Sequence, residues 1–317
     1  MKIKKIICAA AAAAVAMSSA AFAATEDPVQ FSTVDEMDGK VYVTKYANPH
    51  QGGNRFQSGN IEIHSLPQSM QANRTTFFCC YGDRFYYIDG DVKEVSNLYS
   101  CDKEGNDTIV IANNVCGSDD IFIIDNILYY KAYSTKADAG GDDFYGRTYY
   151  GGIYKINLAT GEWQKVVGDE EAVLNFCDGD FIYYTVNGVC YKIDTNGNYC
   201  DYADENGDEF GYKYYTDYAE RYAETMWSPS YELAVEAQRS EQVLLGRDLY
   251  FIHDKKVLAK KPRNIDKITE LRYFDSSAYY IHISRVRNGH VYYYYITGIG
   301  HGIVYYPPAW VYRLEIE

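Results

Sequence analysis

Positive charge is scarce in this chain of 317 residues: 30 Lys and Arg stand against 44 Asp and Glu, a formal net charge of −14. Such a balance repels phosphate backbones and anionic membrane surfaces, which excludes a nucleic-acid role and gives the charge a part in solubility. Long apolar runs are equally scarce. After Ile6–Phe22 no segment approaches the roughly 20 apolar residues of a membrane span, so no membrane insertion is expected. Cys-x-x-Cys spacing is missing, which removes zinc ribbons. Gly-x-Ser-x-Gly, His-Glu-x-x-His and P-loop patterns are missing too, which removes the commonest enzyme templates. His50, His64, His253, His282, His290 and His301 show no metal-ligand spacing.

What stands at the start is a leader. Lys2, Lys4 and Lys5 precede an alanine-rich run, and Ala21-Phe22-Ala23 supplies the small residues of a cleavage site. Residues 1–24 are therefore expected to be a secretory signal peptide and residues 25–317 one exported domain. Cys8 lies at the start of the apolar run, badly placed for a lipid anchor. Cleavage removes three lysines and no acids, which lowers the net charge to −17.

Seven cysteines remain in the exported chain: Cys79, Cys80, Cys101, Cys116, Cys177, Cys190 and Cys200. Export permits disulfides, and an odd count leaves at least one thiol over. Nearest-neighbour pairing would join Cys101 to Cys116 and Cys190 to Cys200. The competing reading is reduced cysteines acting as small apolar residues. Cys79 and Cys80 are adjacent, so in a strand they face opposite sides.

The abundant residue is tyrosine, 35 in all. Tyrosine favours strands, where one ring face packs and the hydroxyl reaches out. The tyrosines are also ordered. An acidic residue precedes an aromatic strand at Asp38 (Val41-Tyr42-Val43), Asp83 (Phe85-Tyr86-Tyr87), Asp125 (Leu128-Tyr129-Tyr130), Asp180 (Phe181-Ile182-Tyr183), Asp248 (Leu249-Tyr250) and Asp275 (Ala278-Tyr279-Tyr280). From Tyr42 the spacings are 44, 43, 54, 67 and 29 residues. A period in the low forties suits a four-stranded blade. Within the unit a strand, a glycine turn and a strand follow, as in Gly152–Asn157, Gly161 and Trp163–Val167. The expected fold is all-β, a propeller of about six blades. The short last spacing and the weak first copy leave five to seven open. The repeated Asp is expected to cap a turn.

Gly179-Asp180-Phe181-Ile182-Tyr183-Tyr184 and Gly152-Ile153-Tyr154-Lys155-Ile156 resemble a bacterial β-propeller domain family of unknown function. That family is named after the propeller of the low-density lipoprotein receptor-related proteins, whose repeats carry Tyr-Trp-Thr-Asp. Tyr86-Tyr87-Ile88-Asp89 is a loose version of that signature. The resemblance is clearest over residues 80–200. It implies a fold and a secreted or cell-surface setting, and no activity.

Function is expected where the repeat breaks. One break, residues 134–150, is a polar loop bearing Tyr145, Tyr149 and Tyr150, candidate stacking platforms. A second, residues 201–243, carries Tyr214, Tyr215, Tyr218 and Trp227, with helix-like stretches at 218–226 and 231–242. It opens on Asp204-x-Asn206-x-Asp208, the alternating oxygen ligands of a calcium loop. Gly207 precedes the third ligand and Tyr215 occupies the twelfth position, both departures from that loop, so an Asn-Gly turn competes with a calcium site. No other cofactor is expected. A third break, Gly298–Gly302, reads as a hairpin tip. The leading functional expectation is a module binding an extracellular protein or glycan. The alternative is a carbohydrate-active enzyme with paired carboxylates at the propeller mouth.

Overall fold

The computed structural model describes residues 28–47, 53–72, 75, 77–88, 95–116, 121–132, 151–169, 172–177, 181–186, 189–196, 199–200, 242–245, 248–253, 256–262, 267–275, 277–297 and 307–316. They are nearly all strand, arranged as six small sheets. The N-terminal segment supplies β1 (Val29–Gln30), β2 (Val34–Met37), β3 (Lys40–Val43), β4 (Phe56–Ser58), β5 (Ile63–Ser65) and the five-residue helix α1 (Gln68–Ala72). The short helix α1 was not expected from the sequence and is held by its fully buried Met70. Next come β6 (Phe78–Tyr81), β7 (Arg84–Ile88), β8 (Val95–Asp102) and β9 (Ile109–Cys116), then β10 (Phe122–Ile124), β11 (Ile127–Lys131), β12 (Ile153–Asn157) and β13 (Trp163–Val167). They are followed by β14 (Val173–Cys177), β15 (Phe181–Val186), β16 (Val189–Asp194) and β17 (Tyr199–Cys200). The last two groups are β18 (Gln242–Leu245), β19 (Asp248–His253), β20 (Val257–Pro262) and β21 (Thr269–Tyr273), then β22 (Ala278–Arg287), β23 (His290–Thr297) and β24 (Ala309–Glu315).

Each group is an antiparallel meander whose strand order follows the chain. Three departures tie distant segments together. β1 joins the free edge of β10, β5 lies parallel to β3, and β4 lies parallel to β24. The last pairing puts an N-terminal strand in the C-terminal sheet. The Asn60 amide extends it, donating from Nδ2 to the Arg313 carbonyl at 2.8 Å and accepting the Arg313 N–H at Oδ1 at 2.9 Å. Gly59 makes the approach possible, since a Cβ there would stand 2.5 Å from the Val311 carbonyl and 2.7 Å from the Tyr312 ring.

At Asp38, Asp83 and Asp125 the acidic residue of the repeat sits between the first and second strands of a sheet, and its turn role has a backbone reason. Met37 pairs with Lys40, Ile124 with Ile127 and Arg287 with His290, so each loop has two residues. Asp38-Gly39, Asp125-Asn126 and Asn288-Gly289 all take positive φ, the conformation that matches strand twist in such loops. Gly161 likewise takes positive φ between β12 and β13, as expected.

The register also corrects the last repeat. Asp275 precedes the first strand of its sheet, β22, where its carboxylate accepts the Ser277 N–H. The residue equivalent to Tyr42, Tyr86, Tyr129, Tyr183 and Tyr250 is Tyr292 on β23, not Tyr279. From Tyr250 to Tyr292 is 42 residues, which restores the period.

The core lies between sheets. Five buried clusters each join two neighbours: β14–β17 with β10–β13, β10–β13 with β6–β9, β6–β9 with β2-β3-β5, β2-β3-β5 with β22–β24, and β22–β24 with β18–β21. A second strand is sandwiched from both sides, which is why Phe85, Tyr86 and Tyr87 are all buried, as are Leu128, Tyr129 and Tyr130. A strand buried on both faces reads as a continuous apolar run. Many tyrosines serve this packing. Tyr87 stacks on Tyr99, Tyr130 on Tyr154, Tyr184 on Tyr191 and Tyr293 on Tyr312, always across the second and third strands.

Candidate functional site

The residues singled out at the breaks of the repeat, Tyr145, Tyr149, Tyr150, Tyr214, Tyr215, Tyr218, Trp227, Asp204, Asn206 and Asp208, lie outside the described residues. So do the leader, the helix-like stretch 218–226, nearly all of 231–242 and the 298–302 tip. Gln242, the last residue of that second stretch, opens strand β18. Among the described residues no three His, Cys, Asp or Glu side chains form a group able to hold a metal ion. No described helix is long and apolar enough to cross a membrane.

Two other constellations emerge. The first is an interior charge cluster where the first strands β2, β6 and β22 meet. Asp35 on β2 is fully buried. Its Oδ2 accepts the Cys80 N–H at 2.6 Å and its Oδ1 the Glu36 N–H at 2.8 Å. Two guanidinium groups from β22 face it. Arg287 Nη1 lies 3.3 Å from Oδ1 and also donates to the carbonyls of Cys80 at 2.8 Å and Glu36 at 3.1 Å. Arg285 Nη2 lies 3.1 Å from Oδ2. Burial works against the charge on Arg287, but the Asp35 carboxylate beside it leaves its pKa above the usual guanidinium value. The cluster thus pins three sheets through one carboxylate. Breaking such a pair leaves a buried charge, at a cost of about 3–5 kcal/mol.

The register of β22 prepares this junction. Its pairing with β23 shifts between Ile283 and Arg285, an irregularity that re-aims side chains. Ser284 Oγ accepts the Val34 N–H at 3.0 Å and shares a hydrogen bond with Thr33. On the far side of the first sheet the Glu36 carboxylate accepts from the Tyr292 hydroxyl, and burial with that contact pushes the phenol well above its normal range. Sequence reasoning missed this cluster. The available signal was Arg285-Val286-Arg287, two cations two residues apart at the end of an aromatic and apolar-rich strand.

The second constellation is an aromatic step running out to the edge of one sheet. Tyr130 on β11 is buried, Tyr154 on β12 is half-buried, and Trp163 on the edge strand β13 is 68% exposed. Tyr154 stacks on Tyr130 at 5.8 Å and meets Trp163 at 5.8 Å with a 44° tilt. Lys165 places Nζ 5.6 Å from the Tyr154 ring centre. The buried rings hold the indole from behind and leave its outer face to solvent. An exposed, backed aromatic offers large contact area at low entropic cost.

The cysteines correct one expectation. Cys79, Cys80, Cys101, Cys116 and Cys177 are buried and form no disulfide. Cys101 and Cys116 sit at opposite ends of the β8–β9 hairpin, because Ser100 pairs with Ile109 while Val95 pairs with Cys116. Disulfide geometry needs Cα atoms within about 7 Å. In the other suggested pair Cys200 stands opposite Lys192 and not Cys190. Cys79 and Cys80 do face opposite sides, one in the core shared with β10–β13 and the other in the core shared with β2-β3-β5. Burial raises both thiols far above the thiol norm, and Cys101 to about 11. These are neutral packing groups, not nucleophiles.

No family model and no curated protein matches the sequence. Among solved structures, TolB from Acinetobacter baumannii is 11% identical, with a TM-score of 0.31 over 68% of this chain and 49% of that one. The tricorn protease is 13% identical, with a TM-score of 0.22 over 88% of this chain and 29% of that one. The chain thus spans about half of the former and under a third of the latter. Likenesses of this size carry no argument about what the chain does.

Proposed function

We propose that the chain is a secreted, six-bladed β-propeller that binds an extracellular protein or glycan. In this reading it stands with the bacterial propeller domains that resemble the Tyr-Trp-Thr-Asp type. Support for the ring comes from the stacking of six sheets in chain order and from β4 completing the C-terminal sheet. The remaining junction, between β14–β17 and β18–β21, would close the ring. The observation that carries binding is Trp163, a large apolar side chain displayed at a sheet edge and braced by Tyr154. Exposed aromatics with rigid backing are the anchors of protein and sugar contacts, since the apolar face packs at little entropic cost.

The test is thermal unfolding of residues 25–317 against a panel of oligosaccharides and peptides, with Trp163→Ala in parallel. A ligand binding the native state raises the midpoint. The reading expects a ligand that shifts the wild type and shifts the variant by much less. A ligand that shifts both equally would take the contact away from β13. A panel that shifts neither would overturn the small-glycan and peptide form of the proposal.

A further inference from the structure

The interior cluster is unbalanced, and the imbalance has a direction. Two guanidinium groups, Arg285 and Arg287, face one carboxylate, Asp35, in a region where Asp35 is fully buried and Arg285 is 4% exposed. The other titratable groups beside Arg285 are Cys79 and Cys80 on β6, and burial keeps both thiols protonated and uncharged. The other carboxylate of β2, Glu36, is engaged by the Tyr292 hydroxyl, so among the described residues of β2 and β6 only Asp35 is paired with Arg285.

The hydrogen bonds are uneven in the same sense. Arg287 Nη1 has three acceptors. Arg285 Nε and Nη2 are buried and donate no hydrogen bond among the described residues, so the 3.1 Å approach of Nη2 to Asp35 is charge on charge without a donor line. Nε and Nη2 are the two nitrogens on one side of a guanidinium. Their N–H bonds run nearly parallel and match the two oxygens of a carboxylate or a single small anion. Buried donors are almost always satisfied, and a buried charge is almost always paired.

We propose that the Nε–Nη2 edge of Arg285 is the seat of one small monovalent anion, a carboxylate or a halide, held where β2, β6 and β22 meet. The anion neutralises the surplus guanidinium and completes the Asp35 cluster. This site is separate from the Trp163 edge and does not depend on any ligand bound there.

The test uses the whole exported chain. Crystals are grown or soaked in sodium bromide and, separately, in sodium acetate. The proposal expects anomalous bromide signal within hydrogen-bonding distance of Arg285 Nε, or acetate density spanning Nε and Nη2, and the two arms distinguish a halide from a carboxylate. An ordered water in both arms would overturn it. In solution, raising acetate or bromide at constant ionic strength should raise the unfolding midpoint by a few degrees in the wild type. Arg285→Lys keeps the charge but lacks the paired edge, and should lose that dependence. If the Lys variant does not fold, the wild-type titration stands alone, and a midpoint independent of both anions would also overturn the proposal.

Discussion

The second strands and the outer strands of the sheets behave as opposites. On β7, β11 and β23 the middle residues are buried on both faces, Tyr87, Tyr129 and Tyr293 among them. On the outer strands β9, β13 and β21 large apolar groups stand in solvent: Ile109, Val110, Trp163 and Tyr273. Both sets are rich in residues of high β-propensity, and only position separates them. A second strand has a sheet packed against each face, while an outer strand has a neighbour on one edge alone. Aromatic residues on the first set hold the fold, and those on the second set are available for recognition.

That contrast can be broken experimentally, beginning at the junction where the first strands meet. Asp35→Ala should have the largest effect, about 3–5 kcal/mol of stability, because it strands the buried Arg285 guanidinium, removes the carboxylate that the partly exposed Arg287 also faces, and orphans the Cys80 N–H. Urea unfolding checks this, and a loss under 1 kcal/mol would show that the junction does not bind the sheets. Tyr129→Ala should cost about as much, roughly 3–5 kcal/mol, through the cavity left in a two-sided core and the lost hydroxyl bond to the Thr195 carbonyl. Gly59→Ala should cost about 1–3 kcal/mol, since its methyl meets the Val311 carbonyl and the Tyr312 ring where β4 meets β24. A neutral result would mean that this pairing yields without strain.

A pH-dependent effect belongs to His282 on β22. Burial holds its imidazole neutral, with the pKa lowered to about 3 from an ordinary 6.5. The unfolded chain takes up a proton below pH 6.5 while the folded chain does not. Stability is therefore complete above about pH 6.5 and declines as pH falls toward 3. His282→Phe should flatten that part of the profile, read as the midpoint against pH. Least of all should come from Trp163→Ala, within about 0.5 kcal/mol, because the indole is mostly in solvent. A loss comparable to that of Tyr129→Ala would erase the distinction between the two kinds of strand.

Much of the architecture was legible because it is written locally and repeatedly. Asp38-Gly39 and Asn288-Gly289 specify two-residue turns through positive φ, and the doubled aromatics after Asp83 and Asp125 mark strands buried on both faces. The last repeat was misplaced because Tyr279-Tyr280 and Tyr292-Tyr293 look alike in sequence, and only pairing tells a first strand from a second. The charge cluster was invisible for a different reason. Asp35 is one of 44 acids and stands 250 residues from Arg285, so nothing local marks it. The Cys101–Cys116 pairing failed because closeness in sequence along a hairpin is distance in space.

The sequence by itself determined the β character of the chain, the aromatic second strands and their tight turns, since each depends on residues a few positions apart. Tertiary structure alone decided which tyrosines became core, which cysteines formed no disulfide and which two arginines met Asp35. Those outcomes depend on the stacking of whole sheets, which brings β2, β6 and β22 together and leaves β13 at an edge.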